Sequence, residues 1–390
     1  REEDVARARE ELHARYGAGS VWQAQKAGAQ SVVFAADAVA EPALLQAAMW
    51  RHQRAQWTRL ETDYDHAARL YGEYLQRYPG RPEAYDLAFY RAECLYFAGR
   101  LDAAADAYGT VLEFTTEGPW HAEAAFSRFK AREGIVGLAA VEAPALESAA
   151  SLPIPEAMRA VVKAAEDFTC TSPTDWRVPE ALFRAAQVYA AHGRRAAARE
   201  RAEAVIGAAP KEDFSAYATT LVVDSWRVEG RFDRAEEDAV RYAALAPGRT
   251  PATIKATRDA LQRVAVEAAF QVAAAHAAKN DHAAAAAKYL GVADAAPGAG
   301  IAALAAKALF AAGESLEKTG RSAQAAKAFG EIAAKHRNDA LAEPAAFRRA
   351  HNLARVLEVE TAARAYSSFV LDFPFSADGP AAAWTAALLW

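Results

Sequence analysis

The chain has 390 residues, 53% hydrophobic and 24% charged, with 45 Lys and Arg against 50 Asp and Glu for a net charge of −5. That balance supplies no broad electropositive field and so argues against nucleic acid as a partner. Alanine dominates while valine, isoleucine and threonine are sparse, which favours helix over strand throughout. The two cysteines, Cys94 and Cys170, lie far apart and form neither a C-x-x-C pair nor a Cys/His cluster, so they suggest no zinc site and no disulfide framework.

Residues 1–41 open with "EEDVARAREELHARY", a charged amphipathic helix, followed by "VWQAQKAGAQSVVFAADAVAE" as a second. Together they read as an N-terminal cap or a degenerate repeat. No apolar run approaches the roughly 20 residues a bilayer requires; the best candidate, 301–312, is broken by Lys307. The chain starts at Arg1 without Met, which leaves room for a removed signal peptide or N-terminal anchor.

From residue 42 onward one pattern recurs. "TDYDHAARLYGEYLQRYP" (62–79), "GRRAAARERAEAVIGAAP" (193–210), "GRFDRAEEDAVRYAALAP" (230–247), "NDHAAAAAKYLGVADAAP" (280–297) and "LEVETAARAYSSFVLDFP" (357–374) each place Ala sixth and close on Pro. "GRLDAAADAYGTVLEFTT" (99–116) and "GRSAQAAKAFGEIAAKHR" (320–337) keep all but the final Pro.

This pattern resembles the tetratricopeptide repeat (TPR), in which helix A carries a small residue at place 8, helix B carries Ala at place 20 and an aromatic at place 24, and Pro closes the unit. Place 8 then falls at Ala55, Ala92, Ala186, Val223, Ala273, Gly313 and Ala350. Place 24 gives Tyr71, Tyr108, Tyr289, Phe329 and Tyr366, with Ala202 and Ala239 as departures. Small residues let antiparallel helices approach, aromatics fill the groove beside them, and Pro ends helix B. Pro82, Pro119, Pro179, Pro251 and Pro380 each open a helix-A pattern, where the missing N–H costs nothing.

"PWHAEAAFSRFKAREGIVGL" is a further helix A with Phe129 at place 8. Its partner is disturbed by inserted residues 143–177, which read as two short helices and a loop. The fold implied is an all-α, right-handed TPR-like α-solenoid of antiparallel helix pairs. The cap occupies 1–41, TPR units one and two 42–117, the irregular third unit 118–178, and units four to eight 179–379. Residues 380–390 start a further repeat that stops halfway.

The resemblance implies a binding face lined by helix A. Place 5 is Phe89, Phe126, Phe183, Phe270, Phe310 and Phe347, with Trp384 in the last unit, and His52 and Thr220 as exceptions. The column is either an aromatic track for a partner peptide or helix, or packing between neighbouring A helices, and packing outweighs the track for any single ring. Beside it lie Glu93, Lys130, Gln187, Asp224, Glu314 and His351 at place 9, and Arg59, Glu133, Arg227 and Glu317 at place 12. Taken one at a time, these charges read equally as an ordinary solvated face. Chaperone-binding TPRs clamp a C-terminal carboxylate with Asn, Lys and Arg here, and Phe at place 5 displaces the Asn.

Other signals point away from catalysis and cofactors. His276 and His282 fall at places normally used for packing, and no H-E-x-x-H, G-x-S-x-G or P-loop motif occurs. Glu236, Glu237 and Asp238 belong to a helix-B face that should be wet, so no carboxylate is placed to act as a general acid. Gly298, Gly300 and Ala303 have the G-x-G-x-x-A spacing of a dinucleotide-binding turn, yet a helix and not a strand precedes them, so they form a joint between repeats. The segment "FTCTSPTDWR" (168–177) reads as a long loop, either functional or merely covering.

Long units ending in "YLQRYPG" and "FVLDFPFSADG" are similar to TPR proteins of the Gram-negative cell envelope. That likeness implies a non-enzymatic protein-interaction scaffold in an envelope assembly, secretion or motility complex. Its place would be periplasmic or at the outer membrane, held there through a complex or an anchor. The rivals are the helical platform of a larger enzyme such as a lytic transglycosylase, and a cytoplasmic peptide-binding regulator.

Overall fold

The computed structural model describes residues 2–137 and 151–390, and among these every regular element is a helix. They fall into two compact units, one ending at Arg201 and the other running from Ala202 to Trp390, so that α10 (Arg195–Ala208) spans the division. In the first unit α1 (Glu2–Tyr16) and the short α2 (Val21–Gln25) precede three helix pairs: α3 (Gln30–Thr58) with α4 (Glu61–Arg77), α5 (Ala84–Phe97) with α6 (Leu101–Phe114), and α7 (His121–Val136) with α8 (Glu156–Thr171); α9 (Val178–Ala191) follows. The second unit holds four: α11 (Asp213–Val228) with α12 (Phe232–Leu245), α13 (Pro251–Ala278) with α14 (His282–Ala295), α15 (Ala302–Lys318) with α16 (Ser322–Lys335), and α17 (Ala342–Arg355) with α18 (Val359–Asp372); α19 (Gly379–Leu389) ends the chain. Each unit is a TPR-like solenoid segment, in which successive helices from α3 to α9 of the first unit and from α11 to α19 of the second pack on one another, while α1 packs on α3.

The packing follows from residue size. Ala55, Ala92, Ala186, Ala273 and Ala350 on the first helices, and Ala67, Ala104, Ala198, Ala235, Ala285, Ala325 and Ala362 on the second, are fully buried. With only a methyl group at these contacts the two helix axes approach closely. Gly313 replaces alanine where even a Cβ would come within 2.5 Å of the Phe329 ring. The turn inside each pair has its own requirement: Gly99, Gly193, Gly230 and Gly320 all lie at φ between 69° and 74°, a left-handed conformation glycine adopts without a steric penalty. Asn280 and Leu357 fill the same turn position at φ 63°.

Four expectations are corrected. The second N-terminal helix is interrupted between Gln25 and Gln30, and its later part is continuous with the first repeat helix, so α3 runs through residue 42 with Pro42 inside it. The inserted region of the third repeat contains, among its described residues, one helix of 16 residues, α8, longer than the short helices expected; residues 143–150, on which the other expected helix would fall, lie outside the described residues. Because Phe168–Thr171 belong to α8, the supposed long loop shrinks to the six residues before α9, with Cys170 exposed on the helix. The longest apolar stretch is not 301–312 but α3, whose length and composition would suffice to cross a membrane; its Asp37 and Glu41 are instead engaged by Tyr78 and Tyr74 of α4.

Candidate functional site

The place-5 column is first of all a packing device. Four of its rings meet the aromatic of their own second helix: Phe89 and Tyr108 at 6.1 Å between centroids, Phe270 and Tyr289 at 5.1 Å, Phe310 and Phe329 at 5.4 Å, and Phe347 and Tyr366 at 5.8 Å, whereas α10, the second helix that follows Phe183, has no aromatic. His52, which broke the sequence pattern, stands in the same relation to Tyr71 at 5.8 Å. Burial pushes the His52 imidazole below its ordinary pKa, consistent with its use as a neutral ring. In the third repeat Phe126 meets Phe168 at 5.3 Å, so α8 supplies the aromatic missing from the grid. The signal was present as "AAEDF", alanine four residues before phenylalanine, but separated from its first helix by the insertion.

Phe89 and Phe183 are buried, whereas Phe126, Phe270, Phe310 and Phe347 are half-buried and keep part of a face in solvent. Trp384 is 69% exposed, and Thr220 contributes a hydroxyl bonded to the Ala216 carbonyl oxygen at 3.1 Å.

The polar residues beside the column do not stand alone. In the second unit Arg227 reaches Asp224 at 3.0 Å on its own helix and Glu267 of α13 at 3.3 Å. Arg348 of α17 lies between Glu314 at 3.0 Å and Glu317 at 3.1 Å of α15, with its guanidinium 5.3 Å from the Phe310 ring centroid. In the first unit Lys130 of α7 bridges to Glu180 of α9 at 3.1 Å, and Arg177 lies 4.3 Å from the Phe126 centroid while bonding Glu123 at 2.6 Å. Glu133 and Arg184 approach to 2.7 Å without the direction of a hydrogen bond. Successive first helices are therefore laced by ion pairs next to partly covered rings. Exposed pairs of this kind contribute at most about 1 kcal/mol each, so their main effect is to fix the register and rotamers of the face. Glu93 is half-buried: it accepts the Tyr108 hydroxyl, and desolvation raises its pKa. His351 is exposed.

Several groups whose residue type invites a chemical role are held in specific contacts. The Cys94 thiol is buried and its pKa is pushed up by desolvation, which suppresses the thiolate. Asp238 is not wet, as the sequence suggested, but buried, because the Trp226 indole N–H donates to it at 2.9 Å and Arg241 pairs with it at 2.8 Å. Glu236 is paired with Lys288 of α14 at 2.8 Å. His276 contacts Asp281 at 3.1 Å, and Asp281 in turn caps α14 through the Ala284 N–H. Among the described residues no three His, Cys, Asp or Glu side chains gather as a metal site requires. At the G-x-G-x-x-A stretch only Gly300 has a positive φ, 74°, in a turn where Ile301 N–H donates to the Ala296 carbonyl.

The family model described as "Tetratricopeptide repeat" matches residues 307–339, the greater part of α15 with α16 and the turn beyond. No curated protein matches the chain. Among solved structures, the TPR2AB domain of yeast Sti1 in its pHSP90 complex is 14% identical, covering 79% of this chain and 98% of its own with a TM-score of 0.36. A tetratricopeptide repeat protein from Parabacteroides merdae is 12% identical, covering 75% and 93% with a TM-score of 0.35. The Naa15/Naa10 complex bound to HypK-THB is 13% identical, covering 87% and 43% with a TM-score of 0.39. The α15–α16 pair thus matches the tetratricopeptide-repeat family model, and its small residue, buried alanine and paired aromatics recur in α5–α6, α13–α14 and α17–α18.

Proposed function

We propose that the protein is a non-enzymatic scaffold that holds a partner peptide or helix on the first-helix face of its repeats. The observation that carries this reading is the pairing of half-covered rings with ordered charges: Phe270, Phe310 and Phe347 each keep apolar surface in solvent, next to Arg227, Glu267, Glu314 and Arg348 locked in cross-helix pairs. A surface of this kind is preorganised, so a partner's apolar side chains gain burial with little ordering cost on the scaffold side. A place in a bacterial envelope assembly, secretion or motility complex is part of the proposal. It is supported by the resemblance of the long, Pro-closed repeats to envelope TPR proteins.

The test uses substitutions that keep apolar volume, because the rings also pack on Tyr289 and Phe329. Partners captured from the source organism should bind the Phe270→Leu/Phe310→Leu double variant at least tenfold more weakly, measured by calorimetry, while the melting temperature changes by only a few degrees. Unchanged affinity in a folded variant would remove the column from the binding site. Fractionation of the source cells checks location: recovery in the cytosol alone would contradict the envelope assignment.

A further inference from the structure

The pair α3–α4 and the pair α13–α14 align without a gap at a constant offset of 218 residues, matching Ala55 with Ala273, Ala67 with Ala285, Tyr71 with Tyr289 and Pro79 with Pro297. Both begin with an unusually long first helix, 29 residues in α3 and 28 in α13, that extends well ahead of the repeat proper. In the first pair this extension is covered by the end of α4. Tyr74 donates to Glu41 at 3.1 Å, Tyr78 donates to Asp37 at 2.8 Å, and Arg81 pairs with Glu41. Ala40, Leu44 and Ala47 of α3 are consequently buried.

In the second pair the same positions carry smaller side chains, of which Val292 and Ala296 remain buried. Tyr74, Arg77, Tyr78 and Arg81 correspond to Val292, Ala295, Ala296 and Ala299. Beside Ala295 and Ala299, which stand where the first pair has Arg77 and Arg81, lies a crevice of about 720 Å³ between α12, α13 and the end of α14, with Val240 on one wall, the two alanines on another, and Gln262, Ala265 and Val266 along the floor. Its size falls within the range of roughly 300–1,000 Å³ typical of ligand sites, and its lining is apolar with few polar groups, as such sites are. The charge pattern has changed as well. The positions of Asp37 and Glu41 are taken by Lys255 and Asp259, which pair with each other at 2.7 Å. The position of Ala40 is taken by Arg258, an exposed cation on the crevice wall that forms no ion pair among the described residues.

We propose that this crevice is a docking site for a segment of a partner protein that presents one or two large apolar side chains, aromatic or leucine, within a helical turn of a carboxylate. The apolar side chains enter the crevice beside Ala295 and Ala299, the counterparts of Arg77 and Arg81, and the carboxylate meets Arg258. The chain thus contains, in α4, an intramolecular example of how such an extension is covered, and in α13 a copy whose cover is supplied from outside. The crevice is separate from the first-helix column and does not depend on the function proposed for it.

A phage-displayed random dodecapeptide library selected on the full chain provides the probe, and the enriched peptides are then titrated by fluorescence anisotropy. The expected peptides carry an aromatic or leucine within four positions of Asp or Glu. Their affinity should fall at least tenfold in Arg258→Glu, vanish in Ala295→Trp, which fills the crevice, and remain unchanged in Phe270→Leu/Phe310→Leu. Arg258 is on the surface, so its variant should retain full helicity and decides the matter even where the tryptophan variant fails to fold. The proposal is overturned by a selection that yields no such peptide, by peptides indifferent to Arg258→Glu, by dodecanoate binding the crevice in place of peptide, or by Arg258-dependent self-association of the chain.

Discussion

The α3–α4 and α13–α14 pairs show how little of a repeat's chemistry is decided by its backbone. Both have the same register, the same buried alanines and the same aromatic contact between first and second helix, His52 with Tyr71 in one and Phe270 with Tyr289 in the other. Their ends differ in side-chain volume. Where α4 closes with tyrosine and arginine, the preceding α1 is tied in as well: Glu10 pairs with Arg51 at 2.8 Å, and His13 packs edge-on to Tyr78 with centroids 6.3 Å apart. Where α14 closes with alanine, the neighbouring surface stays open and apolar. A solenoid can therefore vary what it exposes at fixed geometry by changing residues that contribute nothing to the register of its repeats.

The largest expected effect tests whether the tyrosine end is structural. Tyr78→Ala removes a buried ring and its hydrogen bond to Asp37, and should cost about 3–5 kcal/mol in denaturant unfolding of the first unit. A cost below about 1 kcal/mol would mean that the two ends are equivalent after all. The complementary experiment fills the open end. Ala295→Leu should stabilise the second unit by about 0.5–2 kcal/mol, seen as a rise of a few degrees in melting temperature, whereas a fall would show that the crevice walls cannot accept a side chain.

A third prediction concerns pH and applies to the first unit only. Burial, and then the charge of Arg77, hold the His13 imidazole below its ordinary pKa of 6.5, against weaker opposing effects of Glu73 and Asp37. The unfolded chain therefore takes up a proton before the folded one does. The docking of α1 should be at full strength above pH 6.5 and weaken as the pH falls below it towards the lowered folded value. Hydrogen exchange of the α1 amides should accelerate between pH 7.5 and pH 5, after correction for intrinsic rates, and His13→Gln should flatten that dependence. The smallest effect lies in the turns. Arg59 at φ 55° and Asn280 at φ 63° both occupy the left-handed region. Arg59→Gly should stabilise by up to about 1 kcal/mol, and Asn280→Gly by less, because asparagine already tolerates this conformation. Equal gains in the two melting curves would contradict that ranking.

Much of this architecture is legible in the sequence because its determinants are local. The alanine at the sixth place of each second helix, the glycine at its turn and the closing proline each act within one pair, so seven second helices can be located from their spacing alone. Two features escaped that reading for the same reason. The second helix of the third repeat carries its alanine and phenylalanine at the usual separation, but the intervening insertion hides the pairing of Phe126 with Phe168. Asp238 reads as a solvated carboxylate until Trp226, twelve residues earlier and on the antiparallel neighbour, is brought against it.

The sequence by itself determined the helical class, the repeat and the small residues at which helices meet, since periodicity, residue size and turn preference are properties of short segments. Only the tertiary structure decided which rings of the place-5 column are covered, which charges are paired across helices, and where the long α13 leaves an open crevice. Each of those depends on volumes and charges contributed by residues tens of positions apart, and a change from Arg77 to Ala295 leaves the repeat pattern intact while it alters what the surface can hold.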